Sequence, residues 1–157
     1  MDSYFFLKLI HILSAVVIAG TGAGIAFFMF MANRTDNVAA IAITARHVVL
    51  ADWIFTAPAV AIQFITGWLL MLKLGYSFES TWFLMVISLF IFIGICWIPV
   101  VLIQYKLKAL ATSSLDSGEI HPDFKRMMRI WTALGIPAFA CILIIFWLMV
   151  FKPLSVI

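Results

Sequence analysis

Charge is what this sequence has least of. Charged residues make up 11% of the 157-residue chain, whereas about 25% is usual for a soluble domain. Hydrophobic residues make up 66%, which leaves too little polar surface to face water. The composition therefore excludes a water-soluble domain and predicts an integral membrane protein in contact with the lipid bilayer.

Other absences narrow the function. The two cysteines, Cys96 and Cys141, lie in different apolar segments, and no disulfide is expected. The basic residues flank apolar segments and form no large basic face, so nucleic-acid binding is not expected. The sequence contains no nucleophile–base pair, phosphate loop, zinc signature or pair of carboxylates. Any catalysis would therefore depend on a bound cofactor.

Four apolar segments reach the roughly 20 residues needed to cross a bilayer. They cover approximately residues 4–31, 51–72, 81–104 and 127–151. The first is longer than the roughly 7–15-residue core of a signal peptide, so we expect it to be a retained helix. The sequence predicts an all-α, four-helix integral membrane bundle, a single domain over residues 1–157. Good helix-forming composition from Val38 onward predicts that the second helix begins before its apolar segment.

The basic residues predict the orientation. An even number of spans places both termini on one side of the membrane, with three lysines. The opposite side carries seven basic residues: Arg34, Arg46, Lys106, Lys108, Lys125, Arg126 and Arg129. Because cytoplasmic loops are enriched in Lys and Arg, both termini are predicted to be external.

His11 is the most informative residue, because it lies inside the first span. Polar ring nitrogens are costly in hydrocarbon unless they face a partner, a water-filled cavity or a metal. An imidazole here therefore marks a candidate site. His11 is about seven residues into its span, or roughly 10 Å at 1.5 Å per residue.

The second span carries a polar stripe. Its members are spaced by 4, 3, 4 and 3 residues and share one helix face: Asp52, Thr56, Ala59, Gln63 and Thr66. Such a face should point into the bundle. Two interpretations remain open, hydrogen bonding between helices and the wall of a cavity or cofactor site.

The antiparallel arrangement predicts which residues share a depth. Gln63 and Thr66 should lie level with His11, and Met85 of the third span should come near them. We predict His11, Gln63, Thr66 and Met85 as cofactor-binding residues, with His11 as the metal ligand. One histidine among these groups suits an axial ligand of haem iron, whereas calcium and di-iron sites need several carboxylates.

Two further features have simpler interpretations. Gly20 and Gly24 form a Gly-x-x-x-Gly pattern, which predicts close approach of a neighbouring helix. His47 lies with Arg46 and Asp52 at the opposite end of the bundle from His11. It is expected at the membrane interface, with a second ligand site or a proton-entry group as the alternative. Arg46 and Asp52 could neutralise each other or hold propionates or headgroups.

The layout resembles a family of small bacterial four-span proteins of unknown function. It is also distantly similar to HemJ-type protoporphyrinogen oxidases and CopD-type membrane domains. The resemblance rests on residues 8–13, 46–58, 63–68 and 151–153. HemJ-like proteins bind haem b through a first-helix histidine, which corresponds to His11. Those oxidases have a lysine in the third span and an Asn–Glu–x–Pro pattern before the last span. In this chain residues 82–87 contain no lysine, and the stretch that corresponds to the pattern is Leu134–Gly135–Ile136–Pro137.

Two functions follow as expectations. The first is a haem b protein with His11 as axial ligand, acting in electron transfer or oxidation near the external face; as an enzyme it would be a haem-dependent membrane oxidoreductase. The alternative is a non-enzymatic membrane subunit or small-solute transporter without haem. The resemblance implies a multi-pass protein of the bacterial inner membrane, with a second copy or a membrane redox partner as possible partners.

Overall fold

The computed structural model describes residues 3–152, nearly all of them helical. The helices are α1 (Ser3–Asn33), α2 (Val38–Ala51), α3 (Ala57–Leu74), α4 (Thr81–Ser113) and α5 (Pro122–Phe151). A π-helical turn, Asp52–Thr56, joins α2 to α3, so that Val38–Leu74 forms one continuous helix. Four helices within this range are long and apolar enough to cross a membrane, which confirms the predicted all-α membrane fold. Pro153 and the rest of the C-terminal tail lie outside the described residues.

The helices begin where side chains cap them. The Asn37 side chain accepts a hydrogen bond from the Ala40 N–H, so the second helix starts at Val38 as predicted. Ser80 caps α4 in the same way, and His121 caps α5 through its Nδ1. Such caps satisfy backbone N–H groups that have no partner in the first turn.

The two ends of the bundle differ in content. We call the end with the start of α1, the α3–α4 connection and the end of α5 the termini end. The opposite end, with the α1–α2 and α4–α5 connections, is the basic end. The largest buried cluster, around Met29, Leu107 and Phe124, lies towards the basic end. A smaller cluster of Met71, Trp82 and Leu148 closes the termini end.

Helix packing is uneven. The closest partners are α1 with α3 and α4 with α5, while α2 packs on α1 and α4. In the termini half, α3 meets α4 through side chains such as the stacked rings of Phe64 and Phe90, whose centroids are 6.2 Å apart. The bundle is thus two tight helix pairs joined more loosely at this end. Large apolar side chains cover its outside, as expected of a surface that faces lipid.

The π-helical turn immediately precedes Pro58. A proline has no N–H, and its ring crowds the carbonyl four residues earlier, here that of Ile54. A wider turn relieves this crowding, and the Ala57 N–H reaches back five residues to the Asp52 carbonyl. Asp52 and Thr56 of this turn are buried, as are Ala59 and Thr66 of α3, so the polar stripe faces the bundle interior as predicted.

The glycines of α1 do not act as predicted. An added Cβ at Gly20 or Gly24 would meet no atom within 4 Å beyond its own helix. The expectation of close helix packing at Gly20-x-x-x-Gly24 is therefore wrong for the described chain. The reason is that α1 contacts α3 through the face carrying His11 and Ser14. Close approach occurs instead at Gly67 of α3, facing His11.

Candidate intramembrane histidine site

His11 is held at both ring nitrogens by two residues of α3. Its Nδ1 lies 3.0 Å from the Thr66 Oγ1. Its Nε2 lies 3.0 Å from the Gln63 Nε2. Thr66 and Gln63 are three residues apart, so both project from the same face of α3 onto the half-buried imidazole.

The hydrogen bonds define which nitrogen carries the proton. The Thr66 hydroxyl donates to the Ile62 carbonyl, with 2.6 Å between the oxygens. Its oxygen is therefore the acceptor towards His11, and the His11 Nδ1–H is the donor. The Gln63 amide N–H donates to Nε2, which must then present a lone pair. This hydrogen-bond pattern assigns the proton to Nδ1 and the basic lone pair to Nε2.

Ser14 holds the other end of the Gln63 amide. Its hydroxyl lies 2.5 Å from the Gln63 Oε1 and 2.9 Å from the His11 carbonyl, and it has one proton to donate between them. Ser14 is buried and lies three residues after His11, on the same face of α1. Together, His11 and Ser14 fix Gln63 at both its nitrogen and its oxygen.

Gly67 makes the close approach of the two helices possible. A Cβ at this position would lie 3.1 Å from the His11 Cε1 and 3.7 Å from Nδ1. Any larger residue would therefore push against the ring. The imidazole is held by two hydrogen bonds along its edge and by the bare backbone of Gly67 beside it.

A cavity of about 80 Å³ adjoins this site in the bundle interior. Gln63 lines it from α3, with Ala15 and Ile18 from α1. The opposite wall comes from α4 and α5 and includes Gly94, Trp97 and Ile142. Gln63 is thus hydrogen-bonded to the His11 Nε2 and also lines the cavity. The lining of the cavity is almost entirely apolar.

The structure brings together three of the four predicted site residues. His11, Gln63 and Thr66 form the hydrogen-bonded group, whereas Met85 lies on α4 with 41% of its surface exposed and is not part of that group. Ser14 was not among the predicted residues. Its i, i+3 spacing from His11 was the available signal, because that spacing places two residues on one helix face.

The histidines and charges near the basic end are arranged differently. His47 is exposed, as expected of an interfacial residue, and so is Arg46. Asp52 is buried, and among residues 3–152 the structure contains no ion pair between it and Arg46. Of the two alternatives for Arg46 and Asp52, the structure of this range does not contain the mutual neutralisation, because Arg46 faces outward and Asp52 inward.

The chemistry available at His11 is that of a single nitrogen ligand. No group of three or more His, Cys, Asp or Glu side chains able to hold a metal ion occurs within the described range. Sites that enclose an ion in protein ligands need several such groups. An axial ligand of haem iron, by contrast, is one side chain, since the porphyrin supplies the other four nitrogens.

Comparisons with known proteins agree with the membrane architecture. No curated protein and no solved structure matches the chain. The sequence model of one family, described as "Predicted integral membrane protein (DUF2269)", matches residues 5–153. That match covers all four spanning helices and both sides of the histidine site. The chain therefore belongs to the DUF2269 family of integral, multi-pass membrane proteins.

Proposed function

We propose that this protein binds haem b in the membrane, with the His11 Nε2 as an axial ligand, and that it acts in electron transfer or oxidation. The observation that carries the proposal is the state of the imidazole. The hydrogen bonds assign its proton to Nδ1, towards Thr66, and direct the Nε2 lone pair at Gln63, which lines the neighbouring cavity. Metal-bound histidines usually donate their other ring N–H in this way, which fixes the tautomer and orients the ring.

A single histidine ligand suits haem, but the cavity beside it must enlarge before haem can bind. Typical cofactor pockets have volumes of roughly 300–1,000 Å³, against about 80 Å³ beside Gln63. Binding therefore requires the α4–α5 pair to move away from α1–α3, where the two pairs are loosely joined. The Gln63 amide must also leave Nε2. It ends a flexible side chain, whereas Thr66 can stay bound to Nδ1.

Each residue of the site has a role in this proposal. His11 binds the iron. Thr66 orients the ring, and Gly67 allows the ring to lie against α3. Gln63 and Ser14 provide the polar groups next to the ligand. When bound, haem supplies one-electron chemistry that none of the amino-acid side chains here offers.

An absorption spectrum tests the proposal. The protein is expressed with a haem precursor, purified in detergent and measured before and after reduction with dithionite. We expect a Soret band in the wild type and its loss in His11→Ala. His47→Ala and His121→Ala are matched controls, because both histidines are exposed, and should retain the band.

Two results would contradict the proposal. One is a colourless wild-type protein, which would favour the alternative of a subunit or small-solute transporter without haem. The other is a His11→Ala protein with unchanged haem stoichiometry. Circular dichroism of each variant establishes that the helices remain folded.

A further inference from the structure

The basic half of the bundle contains buried polar groups that have no partner. Asp52 is 3% exposed, and none of the described residues offers a hydrogen bond to its Oδ2. Thr56, one turn further along, is 6% exposed and its hydroxyl is also unpartnered. An unsatisfied buried polar group costs about 1–3 kcal/mol. Two of them in one π-helical turn, a feature frequent at functional sites, point to an occupant.

Further unpartnered groups lie at the same depth on α4 and α5. The Trp53 Nε1–H donates to the Tyr105 hydroxyl, 2.6 Å away, which fixes the register of the second helix against α4. The residues just before these two are Asp52 and Gln104, and both are buried. Both amide atoms of Gln104 and the indole N–H of Trp131 lack partners in the described chain. We call Asp52, Thr56, Gln104 and Trp131 the Asp52 cluster.

Gln104 and Trp131 are neighbours. They line one interstice together with Ala45 and Val48 of α2. Val48 is four residues before Asp52 and on the same helix face, so Asp52 lies about one turn, or roughly 6 Å, from this interstice. The four residues of the cluster are all buried, and together they contain both donors and acceptors.

No neighbouring charge compensates Asp52. The nearest cationic side chains at the basic end of α2 and α5 are exposed: Arg46, Lys125, Arg126 and Arg129. His47 and Tyr105 are exposed too, and α1 has no charged residue between Lys8 and Arg34. On α4, Lys106 is exposed and Lys108 is half-buried, with its Nζ 5.9 Å from the centre of the Tyr105 ring, while the Cys96 thiol, two turns before Gln104, is buried. The one ion pair in the described range joins His121 to Asp123.

The mixture of groups identifies the occupant. A metal cation would bind the Asp52, Thr56 and Gln104 oxygens, but it would be repelled by the Trp131 N–H and the Gln104 amide hydrogens. Water satisfies donors and acceptors alike. A proton neutralises the carboxylate without needing space for an ion, and a lone carboxylate is costly inside a membrane protein.

We propose that Asp52 is a proton-exchanging carboxyl whose proton passes by way of internal water towards the cavity at Gln63. On release, the Asp52 O–H bond breaks and the proton passes to a water molecule. This proposal does not depend on haem binding at His11.

The geometry gives the proton a direction. Thr56 precedes Gln63 by seven residues on the same stripe, about 10 Å along the helix axis. The cavity beside Gln63 occupies part of this interval, and Gln63 is a polar group in its otherwise largely apolar lining. Trp97 lines the cavity, and its indole N–H is a further buried donor without a partner in residues 3–152.

A carbodiimide tests the proposal on the intact protein in membranes. Dicyclohexylcarbodiimide is apolar and adds to a protonated carboxyl, which ends as a stable N-acylurea with no leaving group. Mass spectrometry of the digested protein should find the adduct at Asp52, and the yield should fall as the pH is raised. Asp116 and Asp123 are exposed carboxylates and serve as internal controls that should stay unmodified.

A second measurement covers the case in which the reagent cannot enter. The infrared spectrum of the wild type minus that of Asp52→Asn should contain the C=O band of a protonated carboxyl, and deuterium oxide should shift it. Retained helical circular dichroism identifies a folded variant. Absence of both the adduct and the band at every pH would overturn the proposal, because Asp52 would then be a permanently ionised carboxylate.

Discussion

The His11 site and the Asp52 cluster both include residues of the polar stripe, yet they differ in how many of their polar groups have hydrogen-bond partners. At the His11 site the ring nitrogens, the Gln63 amide atoms and the Thr66 and Ser14 hydroxyls all have partners. In the Asp52 cluster four residues contribute unpartnered atoms. A completed network holds a side chain in one orientation. An incomplete one leaves groups ready for water, a proton or a ligand. The two ends of the stripe thus contact a hydrogen-bonded imidazole and a set of buried polar groups without partners in the described chain.

The largest contrast is expected from two buried tryptophans that are both 6% exposed. The Trp82 N–H donates to the Leu148 carbonyl at 2.8 Å, whereas the Trp131 N–H has no partner in the described chain. Trp82→Phe should lose a hydrogen bond worth about 0.5–1.5 kcal/mol, and Trp131→Phe should recover about 1–3 kcal/mol of unsatisfied-donor cost.

Both changes remove the same side-chain volume, so the cavity costs are similar and the difference between the variants is the informative quantity. Unfolding in mixed detergent, followed by circular dichroism, measures it. If Trp131→Phe were destabilised as much as Trp82→Phe, the Trp131 N–H would have a partner, such as a tightly held water. The contrast between the two regions would then be weaker.

The next largest effect is expected at the His11 site, where the polar groups all have partners. In Gly67→Ala the new Cβ would lie 3.1 Å from the His11 Cε1 and push the ring from α3. Overpacking of this kind costs about 1–3 kcal/mol. Gly135→Ala is the control, because a Cβ there meets nothing within 4 Å. Equal unfolding free energies for the two variants would mean that the ring moves freely and that the site is not held tightly.

The sequence predicted the parts of this account that follow from periodicity. Spans, the start of the second helix at Val38 and the inward face of the stripe all depend on composition and spacing, which are local. Periodicity does not identify which neighbour a face meets. The glycines at positions 20 and 24 were therefore assigned a packing role that the described chain does not give them.

The unpredicted parts depend on tertiary contacts. Ser14 became part of the site because α1 and α3 approach at Gly67, and a sequence pattern does not reveal that distance. The π-helical turn before Pro58 was not predicted, although the inward face of Asp52 and Thr56 was. The absence of a partner for Asp52 was also hidden, since Arg46 is near in sequence but points outward.

The smallest effect is expected at Gln63. Gln63→Leu removes the bonds to Ser14 and His11. Intramembrane hydrogen bonds contribute about 0.6 kcal/mol on average, so the variant should fold. In the haem-loaded protein, loss of a polar group beside the iron ligand should shift the spectrum or the midpoint potential, because such groups tune a metal centre. Normal haem content, spectrum and potential would place Gln63 outside the site and leave it as a packing residue.

The most direct test of the central claim is the haem content of His11→Ala compared with that of the wild type. Both are expressed with a haem precursor, and the pyridine haemochrome is measured per mole of folded protein. The account predicts bound haem in the wild type and none in His11→Ala, with His47→Ala unchanged. Equal haem in His11→Ala and the wild type, or none in either, would contradict it.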